Sequence, residues 1–298
     1  MFVLAHLSDP HLGPMLRPQP RDLVGKRLLG FVNWHTRRRA FHRVEVLDAL
    51  LADMRNASPD HIAVTGDLVN ISLAQEFALA QAWLRGIGTP HDVTLVPGNH
   101  DAYVRATIGH AENSWGEYMR EGAGLTGGKE AFPFVRRRGP VALIGVSTAI
   151  PSGPFEAKGE VGAAQLARLT HVLQSISAED LFRILVIHHP PLSSTGARHK
   201  RLIDAEALRQ ALRAYGVDLV IHGHEHIHSL VWIDGPAGRI PVCGVPSASA
   251  DLTDEYPAGY NLYRIEGERG RWRCEIVSRG LGPAGFTERG RQTIGIED

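Results

Sequence analysis

Cysteine is nearly absent: only Cys243 and Cys274 occur in 298 residues, far apart and each in an apolar stretch. A disulfide scaffold is therefore excluded, and buried free thiols in a reducing compartment are expected. No apolar run approaches the roughly 20 residues that a membrane-spanning helix needs. Net charge is missing as well, since 32 Lys+Arg balance 32 Asp+Glu, which argues against an overall field that would draw nucleic acid to the chain. The opening MFVLAHLSDP has no basic stretch and meets Asp9-Pro10 before an apolar signal core can develop. The expected location is the cytoplasm, at most peripheral to the inner face of the membrane. With 43% hydrophobic and 21% charged residues, the composition excludes disorder and collagen-like repeats. No internal repeat and no interdomain linker stands out, so a single domain over residues 1–280 is expected, followed by a Gly-rich, polar tail over 281–298. Histidine is the exception to this ordinary composition, with 16 occurrences.

Short β-rich runs alternate with longer helical ones through the first three quarters of the chain, which predicts an α/β fold. The expected strands are Phe2 to Leu7, Ile62 to Thr65, Val93 to Val96, Val141 to Ser147, Ile184 to Ile187 and Leu219 to Ile221. Between them, 43–55, 73–85, 163–175 and 204–215 carry apolar residues at three- and four-residue spacing, the pattern of amphipathic helices. From Leu230 the strands shorten and alternate with polar residues (230–233, 240–245, 260–265, 272–277), which suggests an antiparallel meander.

One segment interrupts the alternation. Between Pro14 and Arg43 stand eight basic residues (Arg17, Arg21, Lys26, Arg27, Arg37, Arg38, Arg39, Arg43) against the single acid Asp22, a local balance of +7. Leu23, Leu28, Leu29, Phe31, Val32 and Trp34 within it are suited to one apolar face. Three outcomes are open: a solvated basic helix packed on the domain, an electropositive flap over an anionic site, or a surface that rests on lipid headgroups.

Metal-ligand residue types occur where expected strands end, five times over. Asp9 and His11 follow the first strand, Asp67 the second, and Asn99 and His100 the third. His188 and His189 end RILVIHH, and His222, His224, His226 and His228 follow DLVI. Singly, an Asp or Asn after a strand is usually a turn or cap residue, and a lone His is usually a hydrogen-bonded one. Five such clusters at strand ends are harder to dismiss, because in an α/β sheet those ends converge on the ligand crevice. A donor set of oxygen and imidazole without thiolate suits Mn, Fe, Zn or Co. There are too many donors for one ion, and a carboxylate can bridge two, so a pair of divalent ions roughly 3.5–4 Å apart is expected, with hydrolysis at phosphorus as the natural reaction.

Those residues resemble the ordered motifs of the calcineurin-like metallophosphoesterases: Asp9-Pro10-His11, Gly66-Asp67-Leu68-Val69-Asn70, Gly98-Asn99-His100-Asp101, His188, and Gly223-His224-Glu225-His226, spread from about residue 2 to about 230. PGNHD and His188-His189-Pro190-Pro191 are most similar to the class III cyclic-nucleotide phosphodiesterase and glycerophosphodiesterase branch. The resemblance implies a four-layer α/β/β/α sandwich. It implies that Asp9, His11 and His226 hold one metal and Asn99, His188 and His224 a second, with Asp67 bridging and Mn or Fe favoured. It implies that His100 is the general acid, that Asp101 orients His100 through a carboxylate–imidazole hydrogen bond, and that His188 rather than His189 is the ligand. Asn70 departs from the Asp often found at that place. The expected activity is hydrolysis of a phosphodiester, a cyclic nucleotide or similar small diester, by a metal-bridging hydroxide. A lipid-linked phosphoester or pyrophosphate is the alternative, with residues 14–43 as lid or membrane contact; a nuclease, suggested only by the run Arg37 to Arg39, ranks behind it. The expected partners are a small anionic phosphoester, a lipid surface and a second copy of the chain; nucleic acid is not expected.

Overall fold

In strands β5 (Val141–Gly145), β6 (Phe182–Val186) and β7 (Leu219–His222), neighbouring residues enter different cores. Val141, Leu143, Ile184, Val186, Leu219 and Ile221 join one cluster, while Ala142, Ile144, Leu185 and Val220 join another. The two-residue period of a strand sends alternate side chains to opposite faces, so continuous apolar runs are what a sheet covered on both sides requires. The first cluster lies between two sheets, and the second beneath helices α6 (Ala163–Ser175) and α7 (Ala205–Tyr215), whose Leu169, Leu173, Leu208 and Leu212 are fully buried.

The computed structural model describes residues 1–15, 17–120 and 131–295. One sheet runs in the order β12-β11-β10-β1-β2-β3 and the other β4-β5-β6-β7-β9-β8. In the first, β1 (Phe2–Leu7), β2 (His61–Val64) and β3 (Val93–Leu95) are parallel, and β10 (Gly259–Glu266) joins β1 antiparallel. Helices α3 (Val44–Asn56) and α4 (Ala74–Ile87) cover this sheet through Leu47, Leu50, Met54, Phe77 and Leu84. The result is a four-layer α/β/β/α sandwich.

Two expectations for the late part of the chain need correction. The late strands do not form one meander: the hairpin of β8 (Ser229–Gly235) and β9 (Gly238–Gly244) completes the second sheet, where β9 lies parallel to β7. Strands β10, β11 (Arg273–Gly282) and β12 (Gly285–Gly295) complete the first. Nor are residues 281–295 a loose tail. They turn back as an antiparallel edge strand, where Arg279, on β11, forks onto Asp53 of α3 at 2.6 and 2.7 Å; residues 296–298 lie outside the described residues. Strand β4 (Phe134–Arg138), antiparallel to β5, was not anticipated, because its Arg-rich sequence gives no apolar signal beyond Phe134 and Val135.

The basic segment forms α1 (Lys26–Asn33), a turn of π-helix over Trp34–Arg38, and the short α2 (Arg39–Phe41). Its apolar residues divide between two directions instead of forming one face. Trp34 is buried with Met15, Ile71, Leu73 and Tyr103, with Leu23 and Phe31 packed alongside, while Val24, Leu28, Leu29 and Val32 point to solvent. Gly30 permits this seat, since a Cβ there would come within 2.5 Å of the Tyr103 hydroxyl and 2.7 Å of Ile71 Cγ2. A short helix (α5, His110–Trp115) packs beside α4. No described helix is long and apolar enough to cross a membrane.

Candidate metal centre

The carboxyl ends of β1, β2 and β3 deliver Asp9, His11, Asp67, Asn99 and His100 from one sheet, and those of β6 and β7 deliver His188, His224 and His226 from the other. Backbone conformation marks the place. Among the described residues, Asp9, His11, Asp67, His224 and His226 all have positive φ, between 39° and 66°. Left-handed backbone is uncommon outside glycine and persists where the surroundings enforce it. The sheets are stitched together here: the His224 N–H donates to Asp9 Oδ2 (2.9 Å), and the Ser247 hydroxyl donates to the Asp9 carbonyl (2.6 Å). Gly223 is required by this approach, because a Cβ would overlap Ser8 Oγ and Asp9 Oδ2.

Two carboxylates and the imidazoles converge. His226 Nε2 lies 3.0 Å from Asp9 Oδ1, and His11 Nε2 lies 4.0 Å from both Asp9 Oδ1 and Asp67 Oδ2. His188 Nε2 is 3.5 Å from Asp67 Oδ2 and 3.2 Å from Asn99 Oδ1. Asp67 thus stands between the His11 side and the His188 side. Asp9, His11 and His226 present donor atoms within 4.8 Å of one another, as do Asp9, Asp67 and His188.

Carbonyl oxygens fix the tautomers, since a carbonyl can only accept. Val69 O takes the Nδ1–H of His11 (3.3 Å), Thr65 O that of His188 (2.5 Å) and Lys200 O the Nε2–H of His224 (2.8 Å). Each ring therefore presents its other nitrogen to the site, the usual way a protein prepares a metal-binding histidine. His11 Nε2 is buried with no hydrogen-bond partner, which suits a cation and little else. His189 is different: Thr148 Oγ1 (2.7 Å) and Ala157 O (3.1 Å) occupy both of its nitrogens, so His188 is the residue left open for an ion. His222 is buried and donates from Nδ1 to Gly223 O (2.9 Å), outside the donor cluster.

Electrostatics favour positive charge at the centre. Burial works to raise the pKa of Asp9, but His226, His188 and His11 overcome it and hold the carboxyl well below its usual range. Burial likewise opposes a charged His188, yet Asp67 and then Asp9 raise its pKa to about 9. His100 moves the other way: burial, then the Arg38 charge, push it down to about 3.

His100 donates from Nδ1 to Asn70 O (2.5 Å) and presents Nε2 to the site. Asp101 does not orient it, which corrects the sequence expectation. The Asp101 carboxylate instead accepts four backbone N–H groups, from Gly98 (2.8 Å), Asp67 (2.9 Å), Leu68 (2.9 Å) and Val69 (3.2 Å), and so clamps the β2 loop to the β3 loop. Asn70 supplies its carbonyl to His100, a contact available to any residue at that place, while its side-chain amide donates to Leu12 O (3.0 Å). Two residues that the sequence did not place at the site also reach the centre: His42, which it did not single out, and Arg38, which it gave only as one of the eight basic residues of the 14–43 segment. The His42 ring lies 4.7 Å from that of His11, with Nδ1 on the Ser249 hydroxyl (2.8 Å), and Arg38 Nη1 lies 3.0 Å from His100 Nε2. Neither sits in a motif or at a strand end, so spacing carried no signal for them.

A model of the family described as calcineurin-like phosphoesterase matches residues 2–228. A probable cyclic nucleotide phosphodiesterase of Synechococcus sp. is 25% identical over 232 residues, which cover 76% of this chain and 80% of that protein. Among solved structures, a dimetal phosphatase from Danio rerio superposes with a TM-score of 0.60 at 13% identity, covering 99% of this chain and 98% of the other. A purple acid phosphatase from yellow lupin (Lupinus luteus) gives a TM-score of 0.60 at 12% identity, with 99% of this chain and 53% of that one covered. At such identities the superpositions speak for the fold alone. The family match, which runs from β1 through the last of the clustered histidines, makes this chain a member of the calcineurin-like phosphoesterase family.

Proposed function

We propose that the protein is a dinuclear metal-dependent phosphodiesterase acting on a cyclic nucleotide or a similarly small diester. The completeness of the donor set carries this: every motif position is filled by a side chain able to ligate, and their donor atoms, including the unpartnered His11 Nε2, gather in overlapping groups whose members lie within 4.8 Å of one another. Similarity to the Synechococcus protein supports the small diester. Asp9, His11 and His226 would hold one cation and Asn99, His188 and His224 the other, with Asp67 between them. Such cations lower the pKa of a water and offset charge on phosphoryl oxygens; oxygen and imidazole donors suit Mn or Fe, and also Zn or Co.

The chain's own contribution is position and proton control. His100 Nε2 is the atom for proton transfer to the leaving oxygen, held in register by Asn70 O. Burial and Arg38 keep that nitrogen unprotonated in the free protein, and an arriving phosphodiester anion opposes both effects, raising its proton affinity when a leaving group needs one. The test is turnover of bis(p-nitrophenyl) phosphate by manganese-loaded protein, with loss on chelation, recovery on readdition, and no turnover in a folded His224→Ala variant. Full activity in a metal-stripped preparation would overturn it.

A second reading, a lipid-linked phosphoester or pyrophosphate, is favoured by one observation: Val24 (71% exposed), Leu28, Leu29 and Val32 (51%) form an unburied apolar row on the basic segment beside the site. Sedimentation with phosphatidylglycerol vesicles, lost in Leu28→Ser/Val32→Ser, would select it over the first.

A further inference from the structure

The five motifs account for the metal-ligating residues, but they leave a cation facing the reacting side of the centre. Arg38 ends the π-helical turn of the inserted segment, and such turns recur at functional sites. Its Nη1 donates to His100 Nε2 at 3.0 Å; the direction is fixed because Asn70 O holds the only ring proton at Nδ1. Arg38 is half-buried, and among the described residues no carboxylate lies within ion-pair distance of it. Its charge is balanced only at longer range, chiefly by Asp67 and Asp9. Those are the carboxylates whose charge bound cations would consume. A desolvated guanidinium that loses its counter-charge in this way calls for an anion of its own.

The segment that carries it is built into the domain. Trp34 is buried in the small core with Tyr103, Ile71 and Leu73. Arg27 donates to the carbonyls of Ile71 (3.1 Å) and Ser72 (2.5 Å), and Lys26 to Ser152 Oγ (2.9 Å). Lys26 also lies 4.4 Å from the centre of the Tyr103 ring, which in turn stacks on His100 at 5.2 Å and 21°. The other arginines differ: Arg17, Arg21 and Arg39 point to solvent.

We propose that Arg38 is a substrate-binding residue of this active site, which grips a non-bridging oxygen of the phosphoester and leaves His100 Nε2 when it does so. The proposal rests on the phosphodiesterase reading and adds to it a contact that none of the motifs encodes. A planar fork of N–H donors matches two phosphoryl oxygens, and lysine cannot reproduce it. The contact also makes substrate arrival and the release of His100 a single event, so the insertion reads the phosphoryl group while the motif loops act on it.

The experiment compares Arg38→Met, Arg38→Lys and, as a control for general charge, Arg21→Ala, measuring kcat, KM, competitive inhibition by inorganic phosphate and bound metal. Losing one charge-assisted hydrogen bond should raise KM and the phosphate Ki together by about 10- to 100-fold in Arg38→Met. Arg38→Lys should fall between, with bound metal and melting temperature as in the unaltered protein and Arg21→Ala unchanged. An unchanged phosphate Ki in Arg38→Met, or an equal rise in Arg21→Ala, would overturn the proposal. An unaltered protein that hydrolyses no phosphodiester would instead overturn the reading beneath it. Should Arg38→Met fold poorly, the lysine variant and phosphate binding to it, followed by calorimetry, decide in the same terms.

Discussion

The motif loops and the inserted segment both bring charged side chains to one centre, and they hold them differently. Asp9, His11, Asp67 and His224 sit on left-handed backbone, and the rings of His11, His188 and His224 are tethered to carbonyls, at the ends of largely buried strands. Arg38 stands on a helical segment whose buried anchors are few and whose outer face, Val24, Leu28 and Val32, is apolar and exposed. Metal ligands must be placed within a fraction of an ångström, whereas a contact that forms only when substrate arrives tolerates and even needs adjustment. On the proposed function, the rigid region would carry the chemistry and the less anchored region the grip on the phosphoryl group.

The largest effect expected on the rigid side is that of Asp67→Ala. Its carboxylate lies between the two histidine groups, so the variant should lose turnover below detection and at least part of its bound metal, measured by elemental analysis of the dialysed protein. Metal content and activity both unchanged would remove Asp67 from the centre. Next comes His100→Gln, which keeps the neighbouring ligands. Losing a positioned proton donor should lower kcat by about 10²–10⁴-fold with metal retained.

On the adjustable side the comparison predicts a smaller and differently distributed loss. Trp34→Ala empties the core that seats the insertion. It should speed amide exchange in residues 26–41 and raise KM while kcat changes only a few-fold, in contrast with Leu50→Ala in the sandwich core, which should cost about 2–5 kcal/mol of global stability. Equal exchange in both regions after Trp34→Ala would erase the distinction drawn above.

The smallest effect concerns pH. His61 is buried on β2, bonded through Nε2 to Thr94 Oγ1 (2.7 Å), and burial, with Arg136 next, lowers its pKa from 6.5 to about 3. A histidine whose folded pKa is depressed contributes stability above its unfolded value and loses it as pH falls from about 6.5 toward about 3. His61→Gln should therefore flatten the decline of melting temperature across that window, most visibly below pH 5. An identical pH profile would mean that His61 titrates alike in both states.

Legibility followed periodicity. The helix at Ala163–Ser175 and the strand at Phe2–Leu7 were readable to the residue, since an amphipathic stripe and an apolar run are local signals. Strand β12 was not, because an edge strand with polar side chains, such as Thr287, Glu288 and Gln292, takes its structure from pairing with β11. The candidate ligand positions were legible one by one as strand-end residues. The role given to Asp101 was not, because whether a carboxylate faces a ring or four amide protons depends on how two loops meet.

The amino-acid sequence by itself determined the alternation of strands and helices and the places of the seven candidate ligand side chains at strand ends, because both are written in residue type and spacing. Only the tertiary structure decided which nitrogen of each histidine faces the centre, that His189 is spent on Thr148 and Ala157, and that Arg38 reaches His100 across 62 residues of chain. Those outcomes depend on carbonyls, hydroxyls and packed rings contributed by distant segments, and no local pattern records a partner that arrives from far along the chain.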